Sequence, residues 1–236
     1  MVTQEQLDEL WDYTDPAGSE QRFAEAAREQ RSAPEARAEL ETQVARAMGM
    51  QSRFDEARQL LNRIIFDSPP VSSRVLLELG RIHHSSGHPV EAMAHLTSAR
   101  ATAQRAGLAY LEIDALHMLA LADTNNAAQW TEEALAVAEA SADDHTQRWA
   151  VTLHTDLGWH LHDTANYEEA LTQFSLAQGA AIRFGDEDQR FQSRWAFARC
   201  LRSLGRLDEA REIQQELASE RPGADSVTAE LAELSN

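Results

Sequence analysis

The stretch LGWHLHDTANYEEAL, residues 157–171, gathers residue types from which an active site could be built. His160 and His162 alternate, Asp163 follows, and Glu168 and Glu169 sit just beyond a turn. Imidazoles can hold a divalent metal or move a proton near neutral pH, and adjacent carboxylates can serve as acid and base. His83, His84 and His88 form a second group, and His117 interrupts an apolar segment. Whether any of these can act together depends on the element that carries them. On a helix, residues two apart point about 200° away from each other. His160 and His162 therefore cannot share an ion there, and His154 falls on a packing side. A metal or acid–base site would need His162, Asp163, His117 or His84 to meet from different helices. Otherwise His83, His84 and His88 read as helix-end packing, and the paired glutamates as a solvated first turn that complements the helix dipole.

Composition removes several chemistries. All 21 Lys+Arg residues are arginine. Without lysine no Schiff base can form and no P-loop lysine exists, and the scattered glycines make no phosphate-binding loop. Cys200 is the one cysteine, so an internal disulfide and a cysteine-rich zinc site are excluded. It lies among apolar residues and reads as a small buried hydrophobe. The formal charge of −18 works against nucleic acid and anionic membrane surfaces. The amino-terminal residues lack a basic segment followed by an apolar one, and LAYLEIDALHMLALA is too short and too charged to span a bilayer. A cytoplasmic location is the expectation.

The positioning elements follow from periodicity. Strand signals are nearly absent, strong helix formers dominate, and apolar residues recur at three and four, as in Val75, Leu76, Leu79 and Ile82. Four segments align: SRFDEARQLL, HPVEAMAHLT, NYEEALTQFS and RLDEAREIQQ. Their shared alanines are Ala57, Ala92, Ala170 and Ala210, and twelve residues before each stands Ala45, Gly80, Gly158 or Ala198. Seven residues after them come Ile64, Ala99, Ala177 and Leu217. A degenerate fifth copy, between the second and third of these, offers Leu119–Ala120 and then Ala127 and Ala134, which implies an inter-helix turn five residues shorter than the others. Asn166 with Glu169 predicts a capping pair, and Pro89 predicts a first helical position.

These positions, Leu79–Gly80…Ala92…Ala99 and Leu157–Gly158…Tyr167…Ala170…Phe174…Ala177 above all, resemble the tetratricopeptide repeat over residues 38–222. The opening LWDYTDPAGSEQRF also resembles that of a group of uncharacterised standalone bacterial tetratricopeptide proteins. The resemblance implies an all-α solenoid of about five helix pairs in one domain, residues 1–236. Capping helices would occupy residues 1–37, broken at DPAGS, and residues 223–236. Stacking is needed because one pair cannot bury its apolar face alone.

In such a stack the first helices line the concave surface. Reading positions four and three apart along that face gives Thr42, Arg46 and Gly49; Leu77, Arg81 and His84; His117, Leu121 and Thr124; Thr155, Trp159 and His162; and Trp195, Arg199 and Arg202. One turn earlier stand Arg74 and Asp114. Arginine forks beside tryptophan suit carboxylates. The expected function is a non-catalytic scaffold for a peptide or helix of a partner protein, one with an acidic segment or a C-terminal carboxylate, and no cofactor is implied. A small-molecule site using His117, His162 and Asp163, and a peptide-sensing regulator, are the alternatives; oligomeric state is left open.

Overall fold

The computed structural model describes residues 2–65 and 67–235. Among these the chain forms fourteen α-helices and no strand. Helices α1 (Gln4–Leu10) and α2 (Pro16–Glu29) come first. Three pairs follow: α3 (Pro34–Met50) with α4 (Phe54–Leu61), α5 (Pro69–Ser85) with α6 (Pro89–Ala106), and α7 (Ala109–Ala122) with α8 (Ala127–Ala140). After the short α9 (Asp144–Gln147) come α10 (Trp149–Asp163) with α11 (Tyr167–Phe184), α12 (Glu187–Ser203) with α13 (Leu207–Glu220), and a final α14 (Asp225–Glu233). The backbone divides into two compact units, Met1–Val137 and Ala138–Asn236.

Packing explains the repeated small residues. A side-chain carbon at Gly158 would lie 2.6 Å from the Phe174 ring, so α10 approaches α11 this closely only because the glycine has none. Gly80 receives Leu96 of α6 in the same way. Ala45, Ala57, Ala92, Ala170, Ala198 and Ala210 are all fully buried. Four residues beyond the second-helix alanines come Leu61, Leu96 and Phe174, again fully buried, and then Gln214 in the last pair. The turn between paired helices also recurs. Ser52, Gly87, Ala165 and Gly205 are each left-handed and each lies five residues before the repeat alanine. The residue after each of them donates back to a first-helix carbonyl: Arg53 to Met48, His88 to His83, Asn166 to Leu161 and Arg206 to Leu201.

Three local features bear on the sequence pattern. In the degenerate pair, Ala127 is the first residue of α8 and half-buried, while Thr131, Ala134 and Ala138, four, seven and eleven residues on, are buried, the spacing that Leu96, Ala99 and Ala103 keep after Ala92 in α6. Threonine fits because its hydroxyl donates to the Ala127 carbonyl within the helix. The amino-terminal break covers residues 11–15 and ends within the expected DPAGS: Asp15 caps α2 through the Gly18 N–H, and Pro16 opens the helix, as a residue without an N–H can. Asn166 makes no side-chain cap on α11; its amide donates to the Thr164 hydroxyl instead.

Candidate binding site

The first-helix face of unit Met1–Val137 is charged but internally neutralised. Arg81 of α5 donates to Asp114 of α7 and, at 3.2 Å, to Glu78 one turn back on its own helix. Glu78 and Asp114 are 1% and 5% exposed. Burial raises the pKa of Glu78, with Arg81 and Arg46 opposing. At Asp114 burial also acts against the charge, yet Arg81 and Arg46 outweigh it and hold the carboxyl below its ordinary range, and His117 is near enough to contribute. Arg74 is buried, 3.6 Å from Glu39, and donates to the Gln4 side chain at 3.1 Å. The Arg46 guanidinium lies over Trp11 and Tyr13, at 5.3 and 5.6 Å from their ring centroids, and those two rings are stacked. His84 is half-buried on the same helix as Arg81, beyond it toward the carboxyl end.

Unit Ala138–Asn236 carries a different arrangement. Helices α10 and α12 bring Trp159, His162, Trp195 and Arg199 together. The two indoles lie 5.9 Å apart, and the Arg199 guanidinium is 5.5 Å from each ring centroid. Phe174 meets Trp159 edge-on from α11, and Trp195 donates to the Ser226 carbonyl, which fixes both rings. His162 packs against Trp159 and Tyr167, and its Nε2 is 2.8 Å from the Ser203 hydroxyl. Burial lowers its pKa, and Arg199 and Arg202 push the same way, while Asp163 opposes. Arg202 forks onto Glu230 of α14 at 2.8 and 3.2 Å. Arg199 is left with Glu230 at 3.7 Å, beyond hydrogen-bonding distance, and its side chain stays 40% exposed. Its Nε is buried and, among the described residues, has no hydrogen-bond partner.

Helical spacing places Trp159, His162, Trp195, Arg199 and Arg202 on one face, and they do converge. Helical spacing also pairs Glu78 with Arg81 three residues on, but Glu39 and Glu230 reach Arg74 and Arg202 from other helices, where no local pattern marks them. The opening histidines separate as helical geometry requires. His160 is exposed, His154 binds Gln173 of α11 at 2.8 Å, and His162 faces α12. Asp163 is 3.9 Å from His162 but 81% exposed, too solvated to tune a catalytic imidazole strongly. Among the described residues no three His, Cys, Asp or Glu side chains are grouped to hold a metal, and no helix is long and apolar enough to cross a membrane. Cys200 is buried and donates to the Tyr167 carbonyl; burial pushes its thiol up to about 11.

No family model matches the chain, and no curated protein does. Solved structures do. A signal-transduction ATPase of Pyrococcus horikoshii with a tetratricopeptide repeat sensor has a TM-score of 0.70 at 13% identity, over 94% of this chain and 33% of that one. The chain thus spans about a third of that protein's length. The apo form of RapI gives a TM-score of 0.70 at 12% identity, over 98% and 70% of the two chains. A Podosopora anserina protein with nearly identical TPR-like repeats gives 0.58 at 18% identity, over 78% and 96%. With its recurrent small residues at the helix contacts, the chain has the tetratricopeptide-type helical-repeat fold.

Proposed function

We propose that the chain is a non-catalytic binding protein, and that the face formed by Trp159, Trp195 and Arg199 takes a peptide of a partner protein through a carboxylate. The observation that carries this reading is the state of Arg199. Its guanidinium is held between two indoles, Glu230 is already forked by Arg202, and the buried Nε has no partner. A carboxylate would pair with the exposed terminal nitrogens of the guanidinium, and the indoles would supply apolar contact to the residues beside it. The repeat sensor of the Pyrococcus horikoshii protein supports a recognition role for such a fold.

Calorimetry with short synthetic peptides tests this reading. An acidic peptide with a free carboxyl terminus should bind, and Arg199→Ala should weaken it by about 1.5–3 kcal/mol, the range for a charge-assisted hydrogen bond. Trp159→Ala should weaken it as well. Arg183→Ala, which removes the same charge from an exposed site on α11, should leave binding unchanged. Equal losses at Arg183 and Arg199 would reduce the effect to net charge and end the proposal.

A further inference from the structure

The first-helix face of unit Met1–Val137 is covered by its own chain. Helix α1 reaches across three first helices. The Val2 N–H lies 3.4 Å from Glu39 of α3, Gln4 accepts from Arg74 of α5, and Trp11 just after the helix donates to Gln43 of α3. On the α7 side, burial pushes the Tyr110 hydroxyl up, and Asp114 and the Asp8 carboxylate of α1 add to the push, so Asp8 stands near it. Leu7, the only buried residue of α1, is the central apolar anchor and packs with Phe23, Leu40 and Val44, while Val2, Leu10 and Trp11 border the same cluster half-buried.

Two properties distinguish this cover from an ordinary piece of core. First, it is seven residues long, far below the length at which a helix persists by itself in water. Second, what lies under it is ionic and incompletely matched. Glu39, Arg74 and Glu78 are buried, yet the Arg74 Nε and the Glu78 Oε2 have no hydrogen-bond partner among the described residues. A buried charged atom without a partner is unfavourable. Helix α1 therefore occupies the face without completing its hydrogen bonds, and a better-matched helix would gain what α1 leaves unmade.

We propose that residues 2–15 are a displaceable occupant of a helix-docking face formed by α3, α5 and α7, and that its partner is a short amphipathic helix. That helix would present a leucine-sized anchor in the place of Leu7, a carboxylate toward Arg74 and a hydrogen-bond donor toward Glu78. This site is separate from the carboxylate site on α10 and α12 and does not rest on it.

The test uses the full chain and a fluorescent, carboxyl-amidated peptide of residues 2–15. Leu7→Glu places a charge on the anchor and should release α1. The peptide should then bind the variant at least about tenfold more tightly than the parent, whose own α1 competes at the high effective concentration of a tethered segment. A peptide with glutamate at the leucine should not bind, and adding Arg74→Ala to the variant should weaken binding. Hydrogen exchange on the unaltered protein gives a second reading that needs no variant: the α1 amides should exchange well ahead of those in α3. A folded Leu7→Glu variant that binds the peptide no better than the parent overturns the proposal. So does protection of α1 equal to that of α3. Arg199→Ala should leave peptide binding unchanged; a loss there would send the peptide to the other site and refute this one alone.

Discussion

Arg81 and Asp114 are hydrogen-bonded across neighbouring first helices, α5 and α7, and Asp114 is nearly inaccessible to water. The pair is structural. Arg81→Ala would leave two buried carboxylates, Asp114 and Glu78, without their arginine, and removing one partner of a buried ion pair typically costs about 3–5 kcal/mol. Arg199→Ala should change stability by no more than about 1 kcal/mol, since its ion pair is long and half-exposed. Urea unfolding of both variants tests the contrast. Similar small losses would place Arg81 among the solvated arginines.

Gly158 and Gly179 should respond in opposite directions. Gly158→Leu forces a side chain into the Phe174 ring and should destabilise by about 1–3 kcal/mol through overpacking. Trimming the ring with Phe174→Ala should cost less in that background than in the parent, because the two sites share one space. Gly179 is exposed in α11, with nothing within 4 Å of an added carbon. Gly179→Ala should therefore stabilise by about 0.5–1 kcal/mol. Thermal melts of the three single variants and the Gly158→Leu/Phe174→Ala double would show it.

Gln214 is wholly buried, and neither end of its amide has a hydrogen-bond partner among the described residues. It stands where the other pairs put Leu61, Leu96 and Phe174. Gln214→Leu should stabilise the protein by about 1–3 kcal/mol, the cost of leaving a buried polar group unsatisfied. A destabilised variant would mean that the amide is satisfied by something that leucine cannot replace, and calorimetric unfolding would reveal it.

A fourth prediction concerns acid. The His83 ring stacks on His95 at 5.2 Å and meets His88 edge-on at 5.9 Å. Burial lowers its pKa, and His95, Arg58 and His88 contribute, with Glu91 opposing. The unfolded chain then binds more protons at this site once pH falls below the ordinary imidazole value of about 6.5. Stability from His83 is full above that value and is lost as pH falls toward the lowered one. His83→Gln should flatten this part of the stability profile between about pH 7.5 and 5.5. An unchanged slope would show that the ring titrates as it does in the unfolded chain.

Much of the fold can be read along the chain because its main contacts are short-range in sequence. A glycine and an aromatic or leucine sixteen residues later, as at Gly158 and Phe174 or Gly80 and Leu96, are a local pattern with a steric cause. The same logic reaches the degenerate pair, where Thr131, Ala134 and Ala138 are buried at four, seven and eleven residues after Ala127. Helix periodicity likewise collects Trp159, His162, Trp195 and Arg199 on one face. It says nothing of which arginine is already neutralised. That depends on Asp114 and Glu230, whose partners are chosen by how helices stack, and only the folded arrangement separates Arg81 from Arg199.

The stack of Arg199 on Trp159 and Trp195 also makes the molecule its own optical probe. Indole emission responds to a nearby cation and to water at the ring. A ligand that draws the guanidinium toward its carboxylate and covers the rings would alter both, so occupancy could be followed without any label. The other tryptophans, Trp11, Trp130 and Trp149, supply a background that Trp159→Phe would separate from the signal.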